Sequence, residues 1–273
     1  MRSQLIFLSN LLNQRDKGQL KKIIPPAWRV NIRIFQRYIV DRLIGRWRQL
    51  ANDRVATHIQ GDFLPQVILT QPLGSAVAHH LECKKHNLTL AIQKLQDVVI
   101  FPGQIFSFWH LVGNPTAKAG YVEGRTIKGE GLATSVGGGL CQLSGMLYFL
   151  ALKSGLTIVE RHPHSKDIYT DATRFAPLGS DATVVYGYKD LQIQNHLPSP
   201  ICFRFLMTEQ DIQACLCSPQ AIAEVQVEFR SQLLESATHV ETIRYTQTNA
   251  EAELVSSDLY PKLFVGSGAS SIN

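Results

Sequence analysis

The chain has no run of eighteen apolar residues, so no segment is long enough to cross a bilayer as a helix. It holds five cysteines in 273 residues, an odd and low number that argues against a disulfide framework. Cys215-x-Cys217 has no nearby Cys or His pair at ligand spacing. This excludes a zinc site of the usual kind and leaves Cys202, Cys215 and Cys217 as small core residues. No Gly-Lys-Ser/Thr follows the chain's glycine run and no G-x-G-x-x-G occurs, so a phosphate-cradling loop is not expected either. There is no internal repeat. The N-terminus lacks an ordinary secretory signal: Leu5 to Leu12 is a short apolar patch broken by Ser9 and Asn10, with no small-residue cleavage site after it. On these grounds no metal and no cofactor is expected, and the expected location is cytoplasmic or membrane-peripheral.

What is present is a globular composition, 45% hydrophobic and 18% charged. The formal charge of +5 is unevenly spread. Residues 1–60 carry twelve Lys/Arg against three Asp/Glu, a local +9 that leaves −4 for the remainder. The basic balance belongs to an N-terminal appendage, which argues against a nucleic-acid partner inferred from pI alone. After Pro25-Pro26 the residues Trp28, Ile32, Phe35, Ile39, Leu43, Trp47 and Leu50 recur at three- to four-residue spacing, with Arg29, Arg33 and Arg37 on another face. Residues 27–50 therefore read either as an interfacial helix on an anionic membrane surface or as a helix packed on the domain with solvated arginines.

Three parts are expected: a basic helical appendage over 1–60, an α+β core domain over 61–218, and a strand pair with a loose tail over 219–273. In the core, His86 to Gln96 reads as a helix, Val98 to Phe101 as a buried strand, and Gly113 to Gly124 as a looping stretch. Leu140 to Ser154 is apolar nearly all round and reads as a buried helix stopped by Gly155. Thr157 to Val159, Ala182 to Tyr188, Leu191 to Asn195, Ile201 to Thr208 and Asp211 to Cys217 read as short strands. The fold class is α+β, a buried cysteine-bearing helix packed on a mainly antiparallel sheet.

The chemistry concentrates where Gly137, Gly138 and Gly139 run into Leu140, Cys141 and Gln142. Glycines let a second backbone or a substrate come close. A cysteine at a helix N-terminus feels the positive end of the dipole, which favours its thiolate. About twenty residues on come His162 and His164, then Asp181. Cysteine, histidine and aspartate in that order are the parts of an activated nucleophile, with His164 or His162 as base and Asp181, Asp167 or Asp171 as the group that orients it. Backbone N–H groups near Cys141, helped by Gln142, could hold an oxyanion. The competing reading makes Cys141 a small packing residue, His164 a loop histidine and Asp181 a turn cap.

One family matches these residues in order. Phe101 to Trp109, Val112-Gly113, Gly120-Tyr121, Gly137 to Ser144, Leu147-Tyr148, Val159 to Arg161, His164-Ser165, Arg174, Pro177, Gly179, Asp181 to Val184, Asp190-Leu191 and Asn195 resemble VanW-like proteins over about residues 79–216. The resemblance implies a cell-wall, vancomycin-resistance context and a peptidoglycan transpeptidase-like module working through Cys141, with His164 as partner. Its substrate would be a peptidoglycan stem peptide or precursor, rich in carboxylates. Arg161 and Arg174 are then candidate clamps, since a guanidinium binds a carboxylate bidentately, and Gly138, Gly139 and Gln142 would line the same site. The resemblance also points to the cell envelope. The expected activity is cysteine-dependent, L,D-transpeptidase-like acyl transfer. Its alternatives are a non-catalytic module that binds peptidoglycan or its precursor, and a membrane-peripheral scaffold.

Overall fold

The computed structural model describes residues 26–55, 62–74, 78–128, 131–165, 176–245 and 252–262. Two compact units result, Met1–Trp47 and Arg48–Asn273. The first contains helix α1, Pro26–Leu43. Proline at its first position costs no hydrogen bond, because that N–H has no intrahelical partner. Arg42 lies over the rings of Tyr38 and Trp47, and Arg46 pairs with Asp41 at 3.6 Å. Among the described residues no helix is long and apolar enough to cross a membrane.

The second unit is α+β. Its strands form three three-stranded antiparallel sheets and one hairpin. The first sheet places β8 (Asp211–Ser218) between β1 (Leu64–Pro72) and β7 (Cys202–Met207). Pro65 and Pro72 are tolerated in β1 because it is an edge strand. The second sheet places β6 (Gln192–Gln194) between β2 (Ile105–Ser107) and β5 (Thr157–Glu160). The third places β10 (Ala237–Tyr245) between β9 (Gln226–Leu233) and β11 (Ala252–Pro261). The hairpin joins β3 (Glu123–Lys128) to β4 (Gly131–Val136).

At the centre lies α4, Leu140–Lys153, with α2 (Ala78–Leu95) and the short α3 (Phe108–Val112) beside it. Leu143, Met146, Leu147, Leu150, Ala151 and Leu152 are fully buried, as its all-round apolar sequence requires. Each such leucine contributes about 1.5–3 kcal/mol relative to exposure. Ser154 caps the helix and Gly155 follows at φ 72°, the left-handed stop that glycine accepts. Helix α2 begins eight residues before the expected His86. Leu81, Leu88 and Leu95 continue one stripe through a polar first half.

Four readings need correction. Ala182 to Tyr188 alternates like a strand but forms no ladder. Ala182 O accepts from Ser144 Oγ at 2.6 Å, Thr183 N donates to His162 O, and Val185 closes a tight turn on Lys189. These bonds satisfy the segment against α4 instead. Val98 to Phe101 likewise makes only isolated bridges, Val98 with Arg54 and Ile100 with Ile201. The β3–β4 hairpin fell in what reads as loop and in the polar stretch after it. The expected C-terminal strand pair is a three-stranded sheet, and it packs on the same core: Val227, Phe229 and Val255 touch it, and Phe229 meets Phe149 edge-on at 5.6 Å. Cys202, Cys215 and Cys217 are buried in a small cluster with Val55, Phe63 and Val99, and all five cysteines are free thiols.

The glycines before Cys141 have a measurable packing role. A Cβ on Gly138 would sit 2.2 Å from the backbone carbon and oxygen of Gly124 in β3. Backbone cannot swing aside as a side chain can, so Gly138→Ala is expected to cost about 1–3 kcal/mol and lower Tm by roughly 3–10 °C. Gly145 lies within α4 with its nearest outside atom 3.7 Å away, an ordinary contact. Gly145→Ala is expected to leave Tm unchanged or raise it slightly. Equal losses in the two melting curves would refute this account of the glycine run.

Candidate active site

Cys141 is the second residue of α4. Gly139 caps the helix with φ 99°, a conformation only glycine takes without strain. The sulfur is half-buried, 3.8 Å from Val184 O. The first-turn N–H groups of a helix have no intrahelical partner, so Cys141 sits among donors at the positive end of a fourteen-residue helix.

Two local features carry the histidine and aspartate to it. Strand β5 ends at Glu160 and the chain runs on through Arg161 and His162 to His164. The turn at Gly179 then brings Asp181 and Ala182 back across α4, where Ser144 Oγ donates to Ala182 O. Thr183 N donates to His162 O at 2.7 Å and ties the two returning segments together.

The result is a chain of three groups. Asp181 Oδ2 accepts from His164 Nδ1 at 2.7 Å and from the His164 backbone N–H at 2.6 Å. The Cys141 sulfur lies close enough to the same imidazole to help it hold its proton. With Nδ1 engaged by the carboxylate, Nε2 is the nitrogen left for the sulfur. Burial disfavours the charged imidazole, but the bonds to Asp181 and Cys141 outweigh it and push the His164 pKa up to about 9. Burial would raise Asp181 as well; the bond from His164, the charge of Arg161 and the Tyr260 hydroxyl prevail and hold the carboxylate well below its usual range.

The remaining expected residues fall elsewhere. Arg161 is not free to clamp a substrate. Its side chain is only 4% exposed. Nε donates to Asp181 O at 2.7 Å, Nη1 binds the Asp258 carboxylate, and Nη2 reaches Gly179 O, Asp181 Oδ1 and the Tyr260 hydroxyl, each at 3.1 Å. The guanidinium also stacks on Tyr148, 4.8 Å from the ring centroid. It is an internal brace, paired with Asp181 and Asp258.

Gln142 turns its amide inward, Nε2 donating to Pro72 O at 2.8 Å, so it is not presented as an oxyanion donor. Gly138 is packed on Gly124, and its carbonyl accepts from Asn87 Nδ2 at 3.0 Å. Gly139 is covered by the Lys84 stem. His162 lies against Glu160 at 3.0 Å rather than against Asp181. Arg174, Asp167 and Asp171 lie outside the described residues.

The sequence reading missed three residues. Tyr260 and Asp258, both in β11, brace Asp181 and Arg161, and no local signal marks a tyrosine in a distant strand as a partner of this turn. Lys84 donates to Leu73 O at 2.7 Å beside Gly139; burial first, then Arg125, pulls its pKa down to about 8. Among the described residues no group of three or more His, Cys, Asp or Glu could hold a metal ion.

The raised His164 pKa has a thermodynamic consequence. A group whose pKa rises from about 6.5 in the unfolded chain to about 9 in the fold stabilises the fold fully below the first value. That contribution disappears as pH climbs through the second. Melting curves at pH 6, 7.5 and 9.5 should therefore show wild type losing its advantage over His164→Gln as pH rises. A constant gap would mean that the imidazole gains no proton on folding.

Against known proteins, residues 83–217 match the family described as "VanW like protein". The chain is 38% identical over 141 residues to the uncharacterized protein YoaR of Bacillus subtilis (strain 168), which covers 50% of this chain and 45% of that one. It is 37% identical over 114 residues to the vancomycin B-type resistance protein VanW of Enterococcus faecalis (strain ATCC 700802 / V583), 42% of each. The matched stretch thus spans less than half the length of either relative. No solved structure matches the chain.

Proposed function

Since residues 83–217 form a domain of the VanW-like family, and Cys141, His164 and Asp181 all lie within it, we propose that this chain is a cysteine-dependent acyl transferase acting on peptidoglycan stem peptides. The observation that carries the proposal is the His164–Asp181 pair, bonded at 2.7 Å and brought to the N-terminus of α4 where Cys141 sits. An imidazole with a pKa of about 9 is protonated at neutral pH. An imidazolium beside the sulfur is the counter-ion that a thiolate needs. The name of the Enterococcus relative, a vancomycin-resistance protein, supports a cell-wall substrate.

The step balances as follows. The Cys141 thiolate attacks a peptide carbonyl carbon, and the oxygen draws on N–H groups at the helix start. The C–N bond breaks and the leaving amine takes the proton from His164, giving a thioester. An acceptor amine, or water, then adds to the thioester, His164 recovers a proton from it, and the thiolate departs. Asp181 holds the ring in the tautomer and orientation that both proton transfers require. Transfer and hydrolysis differ only in the acceptor.

Incubation of the purified chain with stem peptides is expected to give a covalent adduct on Cys141, seen by intact-protein mass spectrometry, together with exchanged or hydrolysed peptide. Cys141→Ala should abolish the adduct and reduce turnover by at least about a thousandfold. Turnover that survives the substitution would remove the thiol mechanism, and peptide binding without turnover in wild type would favour the non-catalytic binding module.

Such a substrate can be lipid-linked, and α1 fits a membrane surface. Trp28, Phe35 and Leu43 lie on one stripe and are 67%, 62% and 72% exposed. Residues 26–48 carry six arginines and one aspartate. An apolar stripe on a strongly basic helix suits the interface of an anionic bilayer. The full chain is expected to float with phosphatidylglycerol vesicles and not with phosphatidylcholine vesicles. A Trp28→Glu, Phe35→Glu, Leu43→Glu variant should lose flotation. Absence of wild-type flotation with either lipid would end this part of the proposal.

A further inference from the structure

We infer that the C-terminal sheet, outside the family-matched segment, completes the active site, and that Tyr260 of β11 is the positioning residue that fixes the Asp181 carboxylate for His164. The inference rests on the proposed thiol chemistry and adds to it an element outside the residues that match the family.

A carboxylate has two oxygens, and in Asp181 they are divided. Oδ2 faces His164 and accepts two bonds from it. Oδ1 faces away and accepts from the Tyr260 hydroxyl at 2.5 Å and from Arg161 Nη2 at 3.1 Å. Both oxygens must be held for the plane of the group to be fixed, and the outer one is held in part by β11. Tyr260 is 1% exposed, and its neighbour Leu259 is 54% exposed. Asp258 and Tyr260 share one face of the strand, two residues apart. Asp258 binds Arg161 and Tyr260 binds Asp181, so one strand face holds both members of the buried ion pair.

The sheet is also pressed onto the turn that carries Asp181. A Cβ on Gly179 would lie 2.9 Å from Phe229 in β9 and from Val240 in β10. Burial and the neighbouring Asp181 charge keep Tyr260 a neutral phenol, hence a donor, throughout the working pH range. The charged and titratable groups facing Asp181 are therefore His164, Arg161 and Tyr260. Asp258 and Tyr148 stand behind Arg161, and Cys141 stands beyond His164.

Among the described residues, loss of the phenol leaves Arg161 as the only donor to Oδ1. The guanidinium, which also donates to the Asp181 carbonyl, is then free to draw the carboxylate toward itself and away from Nδ1. The imidazolium loses part of its anionic support, and the thiolate loses part of its counter-ion. The measurement is the pH dependence of Cys141 alkylation by iodoacetamide in the native, full-length chain, read by peptide mass spectrometry, with a melting curve for each variant. Asp181→Asn sets the size of a complete loss.

Tyr260→Phe keeps the buried ring. It is expected to move the acid limb of the profile about one pH unit upward and to slow alkylation below that limb about tenfold, in the direction of Asp181→Asn. A folded Tyr260→Phe whose profile overlays wild type while Asp181→Asn shifts would overturn the assignment of Tyr260 alone. If wild-type Cys141 resists alkylation, or if Asp181→Asn leaves the profile unmoved, the thiol relay fails and the inference goes with it.

Discussion

A carboxylate removed from water must be met by donors on every side, and the architecture around α4 follows from meeting that demand at Asp181. An unpaired buried charge would neutralise itself or unfold the segment that holds it. Here, among the described residues, the two oxygens receive four donors from two places: Arg161 and His164 just after β5, and Tyr260 in β11. The two places are about a hundred positions apart in sequence. Arg161 in turn carries a charge with almost no exposure, and it is tolerated because Asp258 answers its other side. Removing one member of such a set strands the rest, at a cost of about 3–5 kcal/mol. The group that would orient the catalytic imidazole is thus also a structural keystone.

A second constraint is the approach of backbone to backbone at the start of α4. Gly138 meets Gly124 of β3 with no room for a side chain on the Gly138 side, and Asn87 of α2 donates to the Gly138 carbonyl. Nearby, the end of β1 receives Gln142 through Pro72 and Lys84 through Leu73. The helix N-terminus is therefore fixed by α2, β1 and β3 at once. A thiol mounted there keeps its direction relative to the helix dipole, which is the requirement for an electrostatic effect that decays within one turn. The glycine run looks in sequence like access for a substrate; in the structure its first business is close packing.

Sequence resolves what is local. The apolar content of Leu140 to Ser154 fixes a buried helix, and Gly155 its end, because helix burial and glycine stops act over a few residues. The order of Cys141, His164 and Asp181 names the residues but not their arrangement: Cys141 starts α4, while His164 and Asp181 lie in irregular segments. Alternation misleads at Ala182 to Tyr188. The same pattern that suits a ladder also suits a segment whose alternate residues, Ala182 and Val184, face a helix. Few large apolar residues mark the β3–β4 hairpin, so its two strands do not stand out from the glycine-containing loop before them. Most of all, the role of Arg161 is not written near Arg161. A basic residue beside a predicted cleft reads as a clamp for an acidic substrate until the strand at residues 252–261, about a hundred positions away, supplies the acid that absorbs it.

The separation of chemistry from its support has a physical implication. Cys141, His164 and Asp181 lie inside the stretch that matches the family, whereas Tyr260 and Asp258 lie outside it. Within residues 83–217 alone, Arg161 and Asp181 would still form a pair, but Oδ1 would keep one donor rather than two, and Arg161 would lose its second acid. A pair so placed has lower rigidity rather than lower charge. The carboxylate could rotate about its terminal bond toward the guanidinium at little electrostatic cost, and the imidazole would follow or lose its partner. Reactivity of the sulfur in such an arrangement depends on how long the ring stays in place, not on whether the three residues are present. The three-stranded C-terminal sheet answers that dependence with packing at Phe229 and Val240 and with a single short bond at Tyr260, which makes orientation, more than composition, the quantity on which this site turns.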